Sequence, residues 1–257
     1  MKILVLGIPK TGTTYTYYLL KKSLPKDYDL FFEPVHHGNW HEKISNCDKV
    51  LVKDLFVLDE KTNYYLKIYS EFTKKISIVR DSRDRLISSL FFFFVSHQSH
   101  QNNKAIKAKN LRREIRKKID DPGIPFIAIL EELGFSKAQV LHNTKVYENY
   151  IQFLSSFDSI KIRYESLIDG IYENLESYLG IEVTKSQIQT SEHMHVARTK
   201  SYGDWRNWFT PKDVVFFKNH YQDLLATLGY DDDWQLNENQ TISQETTLTY
   251  LDKWSVH

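Results

Sequence analysis

Five short apolar runs along the chain each give way to polar residues, and longer stretches with helical spacing separate them. The runs are Lys2 to Leu6, Tyr28 to Phe32, Lys49 to Leu55, Lys75 to Val79 and Ser159 to Tyr164. The intervening stretches Thr13 to Leu24, Asp59 to Lys74, Leu86 to Phe94, Asn103 to Lys118, Phe126 to Leu133, Ser136 to Phe157 and Ser166 to Leu179 read as helices, the last closed by Gly180. Four successive phenylalanines, Phe91 to Phe94, cover every side of their helix and predict one buried all round. Pro211 to Leu228 reads as the final helix, with Thr210 as its N-cap and Pro211 at its first position. Strands alternating with helices predict an α/β fold, a parallel sheet flanked by helices in three layers. Its site should lie along the carboxyl edge, where the polar strand ends gather.

The chemistry sits at those ends. The first strand passes through a glycine-bounded turn, Gly7 to Gly12, into a helix that opens on Thr13 and Thr14. Such a turn aims backbone N–H groups and the positive end of a helix dipole at one point, which suits a phosphate or a sulfate. Gly7, Gly12 and Thr14 stand where a Walker A loop has its two glycines and its Ser/Thr, but Lys10 precedes the second glycine instead of following it. The other ends carry Glu33-Pro34, with His36 and His37 beyond, then Lys53-Asp54, Arg80 to Arg85, and Tyr164-Glu165. Arg80 is followed eight residues later by Ser88, a spacing that lets a strand-end guanidinium and a helix hydroxyl meet on one phosphate.

Composition narrows the partners. At 257 residues the chain suits one domain, residues 1–257, with a basic helical insert at about 97–135 and a polar tail at about 231–257. A formal charge of +1 gives no global pull towards nucleic acid or acidic membranes. The basic stretch Lys104 to Lys118 reads as a solvated helix face or as a rim for an anionic acceptor, and it lacks the interleaved aromatics of a nucleic-acid platform. A lone cysteine, Cys47, favours a reducing cytoplasm, the apolar start is too short for a signal peptide, and no run reaches the length of a membrane span. The histidines His36, His37, His41, His193 and His195 come without a cysteine or carboxylate framework, so no metal is expected.

Pro9-Lys10-Thr11-Gly12-Thr13-Thr14 resembles the PKSGTTW-type loop of sulfotransferases that use 3′-phosphoadenosine 5′-phosphosulfate (PAPS). The segment from Ile78 to Phe94 is similar to that family's 3′-phosphate-binding strand and helix, Arg-(Asn/Asp)-Pro-x-Asp with a later Ser, although Ser82 stands where Pro is common. Ile162 to Leu167 looks like its Y-E-D-L segment, and Arg198 to Thr210 resembles its R-K-G-x-x-G-D-W-K-N-x-F-T signature, with Thr199 and Lys200 in place of the usual Lys and Gly. The resemblance covers residues 1 to about 210 in family order. It implies a P-loop-like sulfotransferase fold, PAPS as donor, adenosine 3′,5′-bisphosphate as product and no metal requirement. Donor contacts would come from the Pro9–Thr14 loop, Arg80, Ser88, Tyr164, Arg198, Thr199 and Lys200, with Lys10, Lys53 and Ser88 close to the reaction.

The cytosolic enzymes carry Lys-Thr-His where this chain reads Lys53-Asp54-Leu55, so their catalytic histidine has no counterpart at Leu55. Glu33 is the expected general base, since it ends a strand on the active edge and Phe31 to His37, which holds Glu33-Pro34, resembles the F-x-x-E-P segment of carbohydrate sulfotransferases. His36, His37 and His97 are the expected acceptor-binding residues and rival bases. The acceptor is expected to be a sugar or glycan hydroxyl, with a phenol, lipid or natural-product alcohol behind it. The other classes are a P-loop small-molecule kinase, which would use Asp54 or Asp81 for Mg²⁺, and a catalytically inactive nucleotide-binding homologue.

Overall fold

The computed structural model describes residues 1–34, 40–56, 62–95, 104–184, 201–230 and 232–255. The chain parts into two compact units, residues 1–80 with 147–191 and residues 81–146 with 192–257.

The first unit is built on a parallel sheet of five strands in the order β2-β3-β1-β4-β5. The strands are β1 (Lys2–Gly7), β2 (Asp29–Phe32), β3 (Val50–Leu55), β4 (Lys74–Val79) and β5 (Ile160–Arg163). The three inner strands are buried along nearly their whole length while β2 and β5 are half exposed, as the apolar runs require of central and edge strands. Ile3, Val5, Leu51, Ile76, Ile78 and Ile162 share one face. That face packs on α1 (Thr13–Ser23), α8 (Tyr164–Ile168) and α9 (Glu173–Leu179), through Leu19, Leu20, Leu167, Leu175 and Leu179. On the other face stand α3 (Thr62–Tyr69) and the C-terminal half of α7 (Lys137–Ser156). There Phe153 stacks on Phe56 at 4.5 Å, and the Tyr150 hydroxyl reaches the carbonyls of Leu6 and Ile78 at 3.2 Å each. The sheet is therefore the middle of three layers, as expected from the sequence.

The second unit is helical among its described residues: α4 (Ser82–Val95), α5 (Lys104–Asp120), α6 (Phe126–Glu132), the start of α7, α10 (Trp205–Trp208), α11 (Pro211–Thr227) and α12 (Gln244–Ser255). Aromatic rings fill it, with Phe91 edge-on to Trp208 at 5.5 Å and Phe209 stacked on Phe217 at 4.8 Å. The capping box at Thr210 closes as its residue types predict, and its Asp213 does more than cap α11. Fully buried, Asp213 also accepts the backbone N–H groups of Phe126 at 2.8 Å and Ile127 at 2.9 Å, so one carboxylate ends two helices. Asp213→Ala strands those donors and the Thr210 N–H in a dry interior. It should cost about 3 kcal/mol or more of stability, read as a lower urea midpoint at unchanged slope.

Several expectations need correction. The helix expected from Ser166 to Leu179 is two helices, because Gly170 at φ 75° turns the chain between α8 and α9; Gly180, at φ 68°, does end the second. Tyr164 opens α8 and does not end the strand. Pro211 does not begin the last helix, since the tail folds into α12 with Leu248, Tyr250 and Leu251 buried. Two further short helices, α2 (Trp40–Ser45) and α10, carry too few residues to show a period. Of the four phenylalanines Phe91 is buried and Phe92 half-buried; the side chains of Phe93 and Phe94 lie outside the described residues. The basic helix α5 is solvated along Lys109, Arg113, Arg116 and Lys117, while Leu111 and Ile115 are core and Lys118 is buried, donating to the carbonyls of Pro122 and Ile124 at 2.6 Å each.

Candidate active site

The turn after β1 is held by its own atoms. The Thr11 hydroxyl donates to the Ile8 carbonyl at 2.8 Å, and the Thr11 N–H donates to the same oxygen at 3.3 Å. Gly7 has to be glycine, because a Cβ there would stand 2.6 Å from the Thr11 hydroxyl and 2.7 Å from the Thr13 methyl. Lys10 sits at φ 72° and Gly12 at φ 103°, both in the left-handed region. For glycine that is ordinary, and for a lysine it is strain of the kind concentrated at functional sites. No side chain caps α1, so its first N–H groups remain directed out of the helix end beside Lys10.

Three separated sequence segments meet at this turn. A Cβ on Gly12 would lie 2.3 Å from the Tyr164 ring, so glycine here serves both the backbone and the packing of that tyrosine. The Arg80 guanidinium lies over the same ring, 4.4 Å from its centre, and Nη1 donates to the Lys10 carbonyl at 3.3 Å. Arg80 is in turn fixed by Tyr147 on α7, whose hydroxyl accepts the Arg80 N–H at 2.9 Å and donates to the Arg80 carbonyl. Nothing in the sequence distinguished Tyr147. With Tyr150, Phe153 and Phe157 it forms an aromatic stripe at helical spacing, the pattern of a core helix.

At the neighbouring strand ends Glu33 follows β2, at φ 48°, and its N–H donates to the Lys53 carbonyl at 2.7 Å. Its carboxylate takes the Lys53 ammonium, which also lies 4.6 Å from the centre of the Phe32 ring. Lys53 stands near the end of β3, as its apolar run implies, and is 2 % exposed. Burial pulls its ammonium below the usual lysine range, against the opposing pull of Glu33. Asp54, also 2 % exposed, accepts the Leu55 N–H at 2.9 Å and the Tyr69 hydroxyl at 2.8 Å. Burial pushes its carboxyl up to about 6.

In the second unit Ser88 is half-buried on α4, and Asp84 accepts the N–H groups of Gly203 and Trp205, the latter at 3.1 Å. Asp81 is forked by Arg83, whose Nη2 stands 2.7 Å from its carboxylate. Asp54 and Asp81, the acids a kinase would need for Mg²⁺, are thus both engaged with protein donors. His36, His37, His97, Arg198, Thr199 and Lys200 lie outside the described residues. Among the described residues no three His, Cys, Asp or Glu side chains gather as metal ligands, and no helix is long and apolar enough to cross a membrane.

A five-stranded parallel sheet with helices on both faces and a glycine-bounded loop after its first strand is a P-loop-like α/β fold. The structure is similar to the solved mouse sulfotransferase SULT7A1 complexed with PAP, with a TM-score of 0.55 and 16% sequence identity over 90% of this chain and 89% of that one. No family model matches the sequence. No curated protein matches it either.

Proposed function

We propose that the protein is a PAPS-dependent sulfotransferase that moves the sulfuryl group to an acceptor hydroxyl, with a sugar or glycan as the acceptor. The observation that carries this is the meeting of Lys10, Gly12, Arg80 and Tyr164 at one turn, since they come from three separate segments that each resemble that family's donor site. The uncapped end of α1 and Lys10 suit the phosphosulfate, and Arg80 suits the 3′-phosphate. The PAP held by the mouse enzyme of similar fold fits the same donor. The sugar acceptor rests on the resemblance of the segment from Phe31 to His37.

In-line transfer asks for three things from these residues. Lys10 stabilises the charge that grows on the oxygen bridging sulfur and phosphorus, the loop N–H groups hold the sulfuryl oxygens, and Glu33 takes the acceptor proton. Lys53, buried and paired with Glu33, holds that carboxylate in its strained position.

Adenosine 3′,5′-bisphosphate should therefore bind far better than AMP. Losing one charge-assisted contact costs roughly 1.5–3 kcal/mol, so Arg80→Ala should weaken the bisphosphate about tenfold or more in calorimetry and leave AMP nearly unchanged. Equal losses for both nucleotides would remove Arg80 from the 3′-phosphate. Transfer of labelled sulfate from PAPS into a crude extract, with the sulfated product identified, tests both activity and acceptor class.

A further inference from the structure

The helix α5 concentrates positive charge that the rest of the chain does not share. It holds eight Lys and Arg against Glu114 and Asp120, while the whole chain holds 34 Lys and Arg against 33 Asp and Glu, so the sequence outside this helix is net acidic. From residue 109 to residue 119 each exposed residue is a cation: Lys109, Arg113, Arg116 and Lys117. Helical spacing sets the four on one side, with about 5–6 Å between neighbours three or four residues apart, and the row ends at the exposed Asp120. The opposite side is core, with Leu111 and Ile115 fully buried.

A face that only kept the helix wet would mix both signs, because like charges four residues apart destabilise a helix. Lys109 and Arg113, and again Arg113 and Lys117, stand at that spacing. The one acid among them, Glu114, is turned inward and is 3 % exposed. It accepts Arg113 Nε at 2.7 Å and Lys117 Nζ at 2.9 and 3.0 Å, which holds both side chains in place. Arg113 uses only Nε in this contact, so its Nη1 and Nη2 edge is left for a bidentate anion. Lys109 and Arg116 have no acidic partner among the described residues.

We propose that this row binds a polyanionic glycan, a chain of sugars bearing repeated sulfate or carboxylate groups, which makes the acceptor a charged polymer. Such a chain brings anions at short intervals to a straight row of fixed cations, and its condensed counterions are released as it binds. With Leu111 and Ile115 locked in the core, the helix has no apolar face to sink into a bilayer. The exposed residues of the row include no aromatic ring on which bases stack. The choice of a sugar polymer rests on the sulfotransferase reading above; the cation row does not.

Dextran and a lightly sulfated dextran are the probes, since they share a backbone and differ in charge. Calorimetry at about 50 mM salt should show binding of the sulfated polymer alone, weakening steeply as salt rises. In the double variant Lys109→Gln, Arg116→Gln the affinity should drop about tenfold, and the salt dependence should flatten by roughly the two charges removed. Its melting temperature should hold or rise, because like-charge repulsion along α5 is relieved. Lys26→Gln with Lys161→Gln removes the same charge from exposed sites in the first unit and should leave the affinity within about twofold.

Equal losses in the two double variants, no binding of the sulfated polymer, or equal binding of plain dextran overturn the proposal. Phosphatidylserine vesicles and duplex DNA are titrated at the same salt. If either binds more tightly than the sulfated polymer and loses that binding in Lys109→Gln, Arg116→Gln, the row belongs to that partner and the glycan is overturned. Labelled sulfate from PAPS is then offered to the sulfated dextran and to methyl glycosides. The α5 variant should raise KM for the polymer alone, and a KM unmoved for both overturns the part of the row in acceptor binding. Polymer binding as described with no labelled sulfate transferred keeps the cation row and removes the catalytic reading alone.

Discussion

Replacing Lys10 with methionine should cut PAPS turnover about a hundredfold or more while adenosine 3′,5′-bisphosphate still binds within a few-fold of its original affinity. The asymmetry follows from where the ammonium is proposed to act. Charge on the bridging oxygen grows only as the bond to sulfur breaks, so a cation placed there lowers the barrier without adding much to the grip on either nucleotide. The backbone is not at issue in this substitution. Lysine and methionine both carry an unbranched side chain with a Cβ, so at φ 72° they strain the turn alike, and the Arg80 contact to the residue-10 carbonyl survives. Full turnover in Lys10→Met would take the lysine out of the reaction.

Glu33→Gln is expected to lower kcat by roughly a hundredfold or more with nucleotide affinity unchanged, because glutamine keeps the shape and an oxygen for Lys53 but cannot accept a proton. The companion substitutions are His36→Gln, His37→Gln and His97→Gln. Normal turnover in Glu33→Gln together with loss in any of these would move the base to a histidine. Steady-state rates for all four, measured beside bisphosphate affinities, separate a lost base from a lost donor site.

The elements that lay open in the sequence are those whose pattern repeats. Three inner strands, α1 and the capped start of α11 each carry several residues that agree on one structure, and glycines at 7 and 12 mark the loop by position. Elements of four to six residues, such as α2 and α10, have no room for a period. The site divides in the same way. Lys10, Arg80 and Tyr164 could be named from local motifs, and the fold brings all three together. Tyr147 could not be given its place. Lys53 and Asp54 stand near the end of β3 as their run implies, but their burial was not legible there, because it depends on partners from other elements, Glu33 for one and Tyr69 for the other.

The two residues assigned to bond breaking and proton transfer, Lys10 and Glu33, are also the two non-glycine positions with positive φ among the described residues. Glycine or asparagine would occupy either backbone at less cost than the side chains now there. Selection for thermal robustness alone would therefore drift towards a protein that is harder to melt and has lost the proposed activity, and a consensus-stabilised variant should leave these two positions untouched.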